Sequence, residues 1–458
     1  MHLVLINPLS KKSGAGTSKF SNFPPLSLSF IAAVTSSNYR ITLIDENMGK
    51  CHFPEADLIG ITGYTSAIKR GYQIATRYRQ KGVPVIMGGI HVSMLADEAL
   101  KYCDSVVTGE AELIWPSVLK DFENGTLKRI YEGGFADIKK LPLPRRDILR
   151  SDYYWGTLQT SRGCPLKCNF CSVSAFNGHR FRRRTMNDVI SELKQIKQKL
   201  IWLIDDNIIG FKVSDRYWLS EFLAKVRELK LNKIFFAQSS IQIGEYPDLL
   251  RLANKAGIKI ILLGIESVEE QSLKSLNKSL NSSMLRRNKY YELINTIRKS
   301  GIGVLGSFIL GSDTDSLRSF KATYDFIRKS RIDILQLMKA TPLPGTKFYE
   351  KLDSENRIID KNYPNAWDEY RLTRMLFEPK NLSVRDVYEG FAWIKLNYYR
   401  WPVKIRRYLR TIIETKDIVT AYLVYHFDKG YEVSFKTSEI FEDFNMEYLN
   451  RKFNHRKN

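Results

Sequence analysis

The sequence predicts an α/β protein: an N-terminal doubly wound parallel sheet, then a partial (β/α)6 barrel, then a mostly helical C-terminal region. Three observations predict it. Short apolar runs without polar alternation interleave with helix-like stretches over residues 1–137. A second alternation, of six strand starts spaced by roughly 25 to 45 residues, begins after a Pro-rich stretch. The remainder, 351–458, carries no α/β repeat.

The first strand runs are Leu3–Ile6, Ile41–Ile44, Leu58–Ile61, Val83–Ile86 and Ser105–Val107, with helical patterns over Leu26–Thr35 and Tyr72–Gln80. Runs apolar at every position are buried on both faces, which is the habit of parallel sheets. Ligands of such sheets sit at the carboxyl ends of the strands. Those ends hold Asn7-Pro8, Asp45-Glu46, Thr62-Gly63-Tyr64-Thr65, Gly88-Gly89-Ile90-His91 and Gly109-Glu110. The stretch 138–152, with Pro142, Pro144, Arg145 and Arg146, reads as a linker. Strands near Thr157, Leu200, Lys233, Ile258, Gly303 and Ile332 then mark the barrel, 153–350, where chemistry sits on the loops after strands.

The chain has 458 residues, which favours two or three domains over one core. No segment approaches ~18 consecutive apolar residues, and the opening Met1–Pro8 lacks the pattern of a signal peptide. Cytoplasmic residence is the expectation, peripheral contact with the inner face of the membrane included. Five cysteines in a chain of this size, three of them clustered, do not suggest a disulfide framework. Lys and Arg outnumber Asp and Glu, 71 to 49, for a net charge of +22. Such a balance suits a nucleic acid, a membrane surface or a phosphorylated substrate, and equally a protein kept soluble by charge.

The chemistry concentrates in Cys164-Pro165-Leu166-Lys167-Cys168-Asn169-Phe170-Cys171, directly after the first barrel strand. Three thiolates on one loop suit three irons of a four-iron cluster, and the missing fourth leaves one iron open for a ligand. A structural zinc site is the rival; it needs four protein ligands, and His179 is the one nearby candidate.

This C-x3-C-x2-C loop resembles that of the radical S-adenosylmethionine (radical SAM) superfamily, and further motifs follow in order. Asp205-Asp206-Asn207 stands where the family holds the methionine amino group. Glu266-Ser267 stands where a carboxylate holds the ribose hydroxyls, and Gly311-Ser312-Asp313 where a turn lies near the adenine. Carboxylates suit an ammonium and a diol, and glycine admits close backbone approach. Ala237-Gln238-Ser239-Ser240, Leu276–Asn281 and Thr341–Thr346 resemble the branch carrying an N-terminal cobalamin-binding domain of Rossmann-like type, as do Pro24–Leu28, Gly88–Val92 and Thr108–Glu110. Ser239 joins the expected S-adenosylmethionine contacts. Within that branch the likeness is to the hopanoid-methylase-like group.

The resemblance implies a 4Fe-4S cluster, S-adenosylmethionine and cobalamin as cofactors. It implies methylation of an unactivated carbon or phosphorus through a 5′-deoxyadenosyl radical. Thr62, Tyr64, Thr65, Gly88, Gly89, His91, Gly109 and Glu110 are the expected cobalamin contacts, with His91 near the nucleotide tail or else capping a helix. The loop 9–23 has no His, so cobalamin is expected without a His on cobalt. Cys51 and Cys103 stand alone and offer no second cluster. The implied partners are a small-molecule or lipid substrate and an electron donor such as flavodoxin or ferredoxin. Non-methylating radical chemistry is the alternative within enzymes. An iron–sulfur redox or nucleic-acid-binding protein is the alternative outside them, and the ordered cofactor motifs disfavour nucleic acid.

From Lys395 to Arg410 there are six basic residues and no acidic one, with Trp401, Ile405, Leu409 and Ile412 at near-helical spacing. Two arrangements fit: an amphipathic helix lying on an anionic membrane, or a helix with its apolar face on the barrel and a solvated basic face.

Overall fold

The computed structural model describes residues 1–9, 22–438 and 444–454. In the N-terminal part, six parallel strands are β1 (His2–Asn7), β2 (Arg40–Asp45), β3 (Leu58–Thr62), β4 (Val85–Gly88), β5 (Ser105–Gly109) and β6 (Ile130–Gly134). Their order is β2-β1-β3-β4-β5-β6, so the chain reverses its direction of travel between β1 and β3. Five helices connect them: α1 (Leu26–Ala33), α2 (Ile68–Arg79), α3 (Ile90–Met94), α4 (Ala96–Ala99) and α5 (Trp115–Glu123). Val4, Ile6, Ile59 and Ile61 fill a core on one face, and Leu3, Leu5 and Leu58 fill another on the opposite face. That two-sided burial is why the strands read as unbroken apolar runs. The unexpected strand is β6. It lies at the sheet edge, half exposed and ending in two glycines, so its composition carries little strand signal.

Residues 138–152 contain no helix or strand but are not free. Ile138 and Leu141 pack on Leu26 and Phe30, and the Arg145 N–H donates to the Ser29 carbonyl at 3.0 Å.

The barrel begins with β7 (Trp155–Leu158) and a short antiparallel pair, β8 (Ser161–Arg162) with β9 (Arg182–Arg183). It continues through β10 (Leu200–Leu203), β11 (Ile234–Ser239), β12 (Ile258–Glu266), β13 (Gly303–Leu310) and β14 (Ile334–Lys339). The open parallel sheet runs β14-β13-β12-β11-β10-β7, the six expected strands in sequence order. Helices α6 (Ser172–Asn177), α7 (Met186–Gln195), α8 (Val213–Glu228) and α9 (Pro247–Ala256) come first. Then follow α10 (Glu270–Ser275), α11 (Ser279–Arg286), α12 (Tyr290–Lys299), α13 (Leu317–Ser330) and α14 (Lys347–Ser354). Outward-facing Ile201, Phe235, Ile261 and Val304 pack with residues of these helices such as Phe222, Leu250 and Ile294.

The C-terminal region is helical, as expected: α15 (Val384–Tyr398), α16 (Trp401–Thr415), α17 (Ile418–Lys436) and α18 (Met446–Asn454). It is also part of the barrel. Leu423 and Val424 of α17 meet Trp155, Phe236, Ile260, Leu305 and Ile334, so α17 closes the inner face of the open sheet. Gly303 permits this approach, since a Cβ there would stand 2.5 Å from a Val424 methyl.

The basic stretch corrects the reading in which the apolar face packs on the barrel, and the bounds of the helix. It is not one helix: Lys395 belongs to α15 and is buried, while Arg400 precedes α16. On α16 the buried face is polar, with Arg407 paired to Asp428 and the Thr411 hydroxyl donating to Asp333 at 2.6 Å. Trp401, Ile405, Leu409 and Ile412 point to solvent. Among the described residues no helix is long and apolar enough to cross a membrane.

Several contacts join the halves, among them Tyr153 donating to Asp45 at 2.5 Å and Lys69 paired with Asp368 at 3.2 Å. Glu110, after β5, accepts from Arg162 and Arg182 on the β8–β9 pair. Trp367, in the segment between α14 and α15, returns to the N-terminal sheet and donates its indole N–H to Glu98 at 2.9 Å.

Candidate active site

The three cysteines lie on the loop that β8 and β9 bracket, at the carboxyl end of β7. All are free and half-buried. The loop is clamped from outside: the Asn169 N–H donates to Leu276 O (3.0 Å) and its side chain to Ser275 O (2.9 Å). The Asn277 side chain donates to Lys167 O at 2.6 Å, and the Phe348 N–H to Asn169 O at 3.0 Å. Burial pushes the Cys164 thiol up to about 12, with the Cys171 and Cys168 thiols adding to the rise. The three sulfurs thus share one space whose anionic form calls for metal cations. His179 is exposed, and among the described residues no three His, Cys, Asp or Glu side chains converge on a single ion. Cysteines that each hold a different iron of one cluster do not need to converge on a point.

Beside the loop, the two aspartates after β10 have different partners. Asp205 is buried and fully engaged: it accepts from the Thr160 N–H (3.1 Å), the Thr160 hydroxyl (2.6 Å) and the Ser161 hydroxyl. Asp206 accepts from the Gly163 N–H at 2.9 Å, and among the described residues no cation pairs with it. Burial pushes its carboxyl up to about 6, so a cationic ligand would restore the favourable charged form. Asn207 accepts from the Ser240 N–H (2.8 Å) and the Ser239 hydroxyl (3.3 Å), tying the end of β10 to that of β11.

At the end of β12 the register slips between Gly264 and Glu266, and Glu266 takes a left-handed φ of 66°. A side chain held in that region is uncommon and clusters at functional sites. One carboxylate oxygen accepts from Lys278 Nζ at 2.7 Å; the other is buried with no partner. Gly264 makes room, since a Cβ there would meet the Glu266 carboxylate at 2.6 Å. Burial opposes the Lys278 charge, but Glu266 and the Cys168 sulfur outweigh it and hold the ammonium above its ordinary range. Ser267 is a local cap, its hydroxyl accepting from the Glu269 N–H at 3.1 Å. A buried, partnerless carboxylate oxygen beside the cysteine loop fits a vicinal diol, which donates two hydrogen bonds.

After β13, Gly311 has φ +83° and is crowded by Met375 and Val387. Its N–H and that of Ser312 donate to Asp315, at 2.8 and 3.0 Å. Asp313 is turned to Arg357 and Lys351. Asp315 belongs to the Gly-x-Asp-x-Asp turn and Lys278 to the Leu276–Asn281 stretch, both of which the sequence marks; the pairing of Lys278 with Glu266 across 12 residues is what the fold adds.

The N-terminal residues divide similarly. Tyr64 follows β3 at the switch point of the sheet. It is 68% exposed, so its ring stands free at the strand end. Thr65 accepts or donates at 3.2 Å to His91, whose other nitrogen is 3.5 Å from Glu98. His91 is buried under Trp367, ring centroids 5.0 Å apart, and burial lowers its pKa although Glu98 raises it. It lies within α3, whose N-cap is Gly89, and so does not cap that helix. Gly89 (φ +95°) lets the chain pass Thr62 and Gly63, where a Cβ would stand 2.7 Å from the Thr62 hydroxyl. Gly109 does the same against Gly134, and Gly88 lies against Val107.

The family model described as the radical SAM superfamily matches residues 158–327. Bacteriochlorophyllide d C-12(1)-methyltransferase of Chlorobaculum tepidum is 30% identical over 405 residues, 84% of each chain. The chain belongs to the radical SAM superfamily. Hopanoid C-2 methylase of Rhodopseudomonas palustris is 25% identical over 73% of this chain and 65% of its own. The fold matches that of the cobalamin-dependent S-adenosylmethionine radical enzyme OxsB with aqua-cobalamin bound, at a TM-score of 0.68 and 15% identity over 98% of this chain and 78% of that one. This radical SAM protein is an enzyme, and its family goes with a 4Fe-4S cluster and S-adenosylmethionine.

Proposed function

We propose that this radical SAM enzyme methylates an unactivated carbon, or a phosphorus, of a bulky and largely apolar small molecule. The observation that carries the cofactor half of the reading is the partnerless Glu266 oxygen beside Lys278 and the cysteine loop. Methyl transfer to an apolar acceptor is supported by relatives named for bacteriochlorophyllide d and hopanoid methylation.

When bound, the cofactors supply one-electron chemistry that removes hydrogen from an unactivated position and a methyl group to replace it. The chain's own residues then have definite tasks. Cys164, Cys168 and Cys171 would hold the cluster, and Asp206 the methionine ammonium of S-adenosylmethionine. Glu266 would accept from the ribose hydroxyls through the oxygen that Lys278 leaves free. The Gly311–Ser312 turn, stiffened by Asp315, would face the adenine; Asp313 acts at a distance by holding Arg357. Asp205, Asn207, Ser239 and Ser267 hold the strand ends in register. At the β1/β3 switch point, Tyr64 and Thr62 would line the cobalamin crevice, with Thr65, Gly88, Gly89 and Gly109 shaping its wall. Glu110 and His91 support that wall from behind. An electron donor such as flavodoxin or ferredoxin completes the reading.

Two measurements test it. Glu266→Gln keeps the shape and loses the charge; S-adenosylmethionine affinity is expected to fall roughly tenfold to a hundredfold with iron content unchanged. Unaltered affinity would remove Glu266 from the site. Replacing Cys164, Cys168 and Cys171 by Ala should abolish binding of about four irons. Tightly bound zinc in protein purified without oxygen would overturn the cluster assignment.

A further inference from the structure

The helical hairpin α16–α17 turns its apolar side outward. Trp401 is 70% exposed, Ile413 69% and Ile418 72%, and Ile405, Leu409 and Tyr422 are exposed with them. Ile412 and Ile413 fall in the last turn of α16, and Ile418 and Val419 open α17, so the hairpin bend is itself apolar. The inversion is not a sign of loose packing. Arg407 is buried against the Tyr398 carbonyl (2.9 Å) and Asp428, and the Thr420 hydroxyl donates to Gly301 O at 2.8 Å. A contiguous apolar patch of this kind on a well-packed element marks an interaction surface.

Charge identifies what covers it. Residues 401–436 contain four carboxylates, Glu414, Asp417, Asp428 and Glu432. Each is committed: Glu414 to Arg298 and Arg331, Asp417 to Lys259, Asp428 to Arg407, and Glu432 to Lys404 and Lys436. Arg400, Arg406, Lys416 and Lys429 are exposed and, among the described residues, pair with no carboxylate. The patch therefore carries a cationic rim with no anion of its own. A second copy of this chain would set like charges against like, which is destabilising. An anionic surface with an apolar interior satisfies both features at once.

We infer that α16 and α17 form a docking face for an anionic lipid bilayer, with Trp401, Ile405, Leu409, Ile413, Ile418 and Tyr422 entering the interface and the four cations meeting headgroups. Aromatic and aliphatic residues on one side with Lys and Arg beside them are the composition of helices that lie in the membrane plane. Lys259 and Gly301, which α17 contacts, stand at the starts of β12 and β13, the end of the barrel opposite the cysteine loop. Docking there leaves the mouth of the site uncovered. The inference does not depend on the methylation reading, and loss of vesicle binding would leave that reading standing.

The test is co-sedimentation of the full, anaerobically reconstituted chain with phosphatidylglycerol-containing vesicles and with pure phosphatidylcholine vesicles. Binding to the anionic vesicles is expected to be stronger and to weaken with salt. Arg406→Glu/Lys416→Glu should lower it by about tenfold or more, and Ile413→Ser/Ile418→Ser should lower what remains at high salt. All four side chains are exposed, so iron content and melting temperature should stay as in the wild type. Equal sedimentation with both vesicle types, or none, would overturn the inference. So would a dimer in size-exclusion chromatography that Ile413→Ser/Ile418→Ser dissolves, since a second copy would then own the face.

Discussion

Lys339 shows what one side chain contributes at the residue scale. It is buried at the end of β14, its ammonium 3.8 Å from the Phe391 ring centroid and donating to Thr373 O at 3.0 Å. Burial, helped by Arg374 and Lys395, lowers its pKa from 10.5 to about 7. The folded state therefore binds fewer protons than the unfolded state between pH 7 and 10.5. Stability from this residue rises with pH across that window and is lost as pH falls toward 7. Lys339→Met should flatten the slope and raise stability at pH 7, by roughly 1.4 kcal/mol for each tenfold loss of proton affinity that the folded state no longer imposes. Denaturant melts at pH 7, 8 and 9 check it; an unchanged slope would mean that the Phe391 and Tyr388 rings already compensate the charge.

At the scale of elements, the stretch between α10 and α11 is a clamp on the cysteine loop. Asn277 sits at φ 53°, a conformation Asn tolerates better than most residues, and reaches Lys167 O from there. Asn277→Ala removes the hydrogen bond and adds backbone strain, together about 1–3 kcal/mol. Release of iron to a chelator should then quicken by about tenfold or more, with S-adenosylmethionine affinity of the loaded protein unchanged. Leu276–Asn281 reads in the sequence as a mark of the family and nothing more, because the partner carbonyl lies 110 residues away. The 3.6-residue spacing of Trp401, Ile405 and Leu409 is equally legible as a helix. Which side faces inward is not, since Asp428 and Asp333 decide it from other elements.

On the scale of the whole molecule, Glu110 holds the N-terminal sheet to the barrel. Burial opposes its charge, but Arg182 and Arg162 more than offset it and hold the carboxyl below its usual 4.5. Its contribution is fully present above about pH 4.5 and is lost as pH falls through the lower folded value. Glu110→Ala would leave Arg182 without a carboxylate at a buried junction, at a cost of about 3 kcal/mol, while Arg162 keeps Glu112 at 2.6 Å. Melting temperature should fall and proteolysis within 138–152 should quicken, whereas intact protection would mean that the other contacts, Trp367 with Glu98 among them, hold the junction without it.

By itself the sequence determined both parallel sheets, the cysteine loop and the order of the cofactor motifs, because these rest on local signals. Apolar runs need no partner to be recognised, and three cysteines within eight residues need no fold to be read. The tertiary structure alone decided which polar groups are spent and which are free. Asp205 and Asp206 are neighbours, yet Thr160 and Ser161 occupy the first and leave the second open. Asp313 goes to Arg357, 44 residues on, and Glu98 to Trp367, 269 residues on. A side chain's partner is set by whatever the fold brings within about 3 Å of it, and that distance is not written in sequence separation.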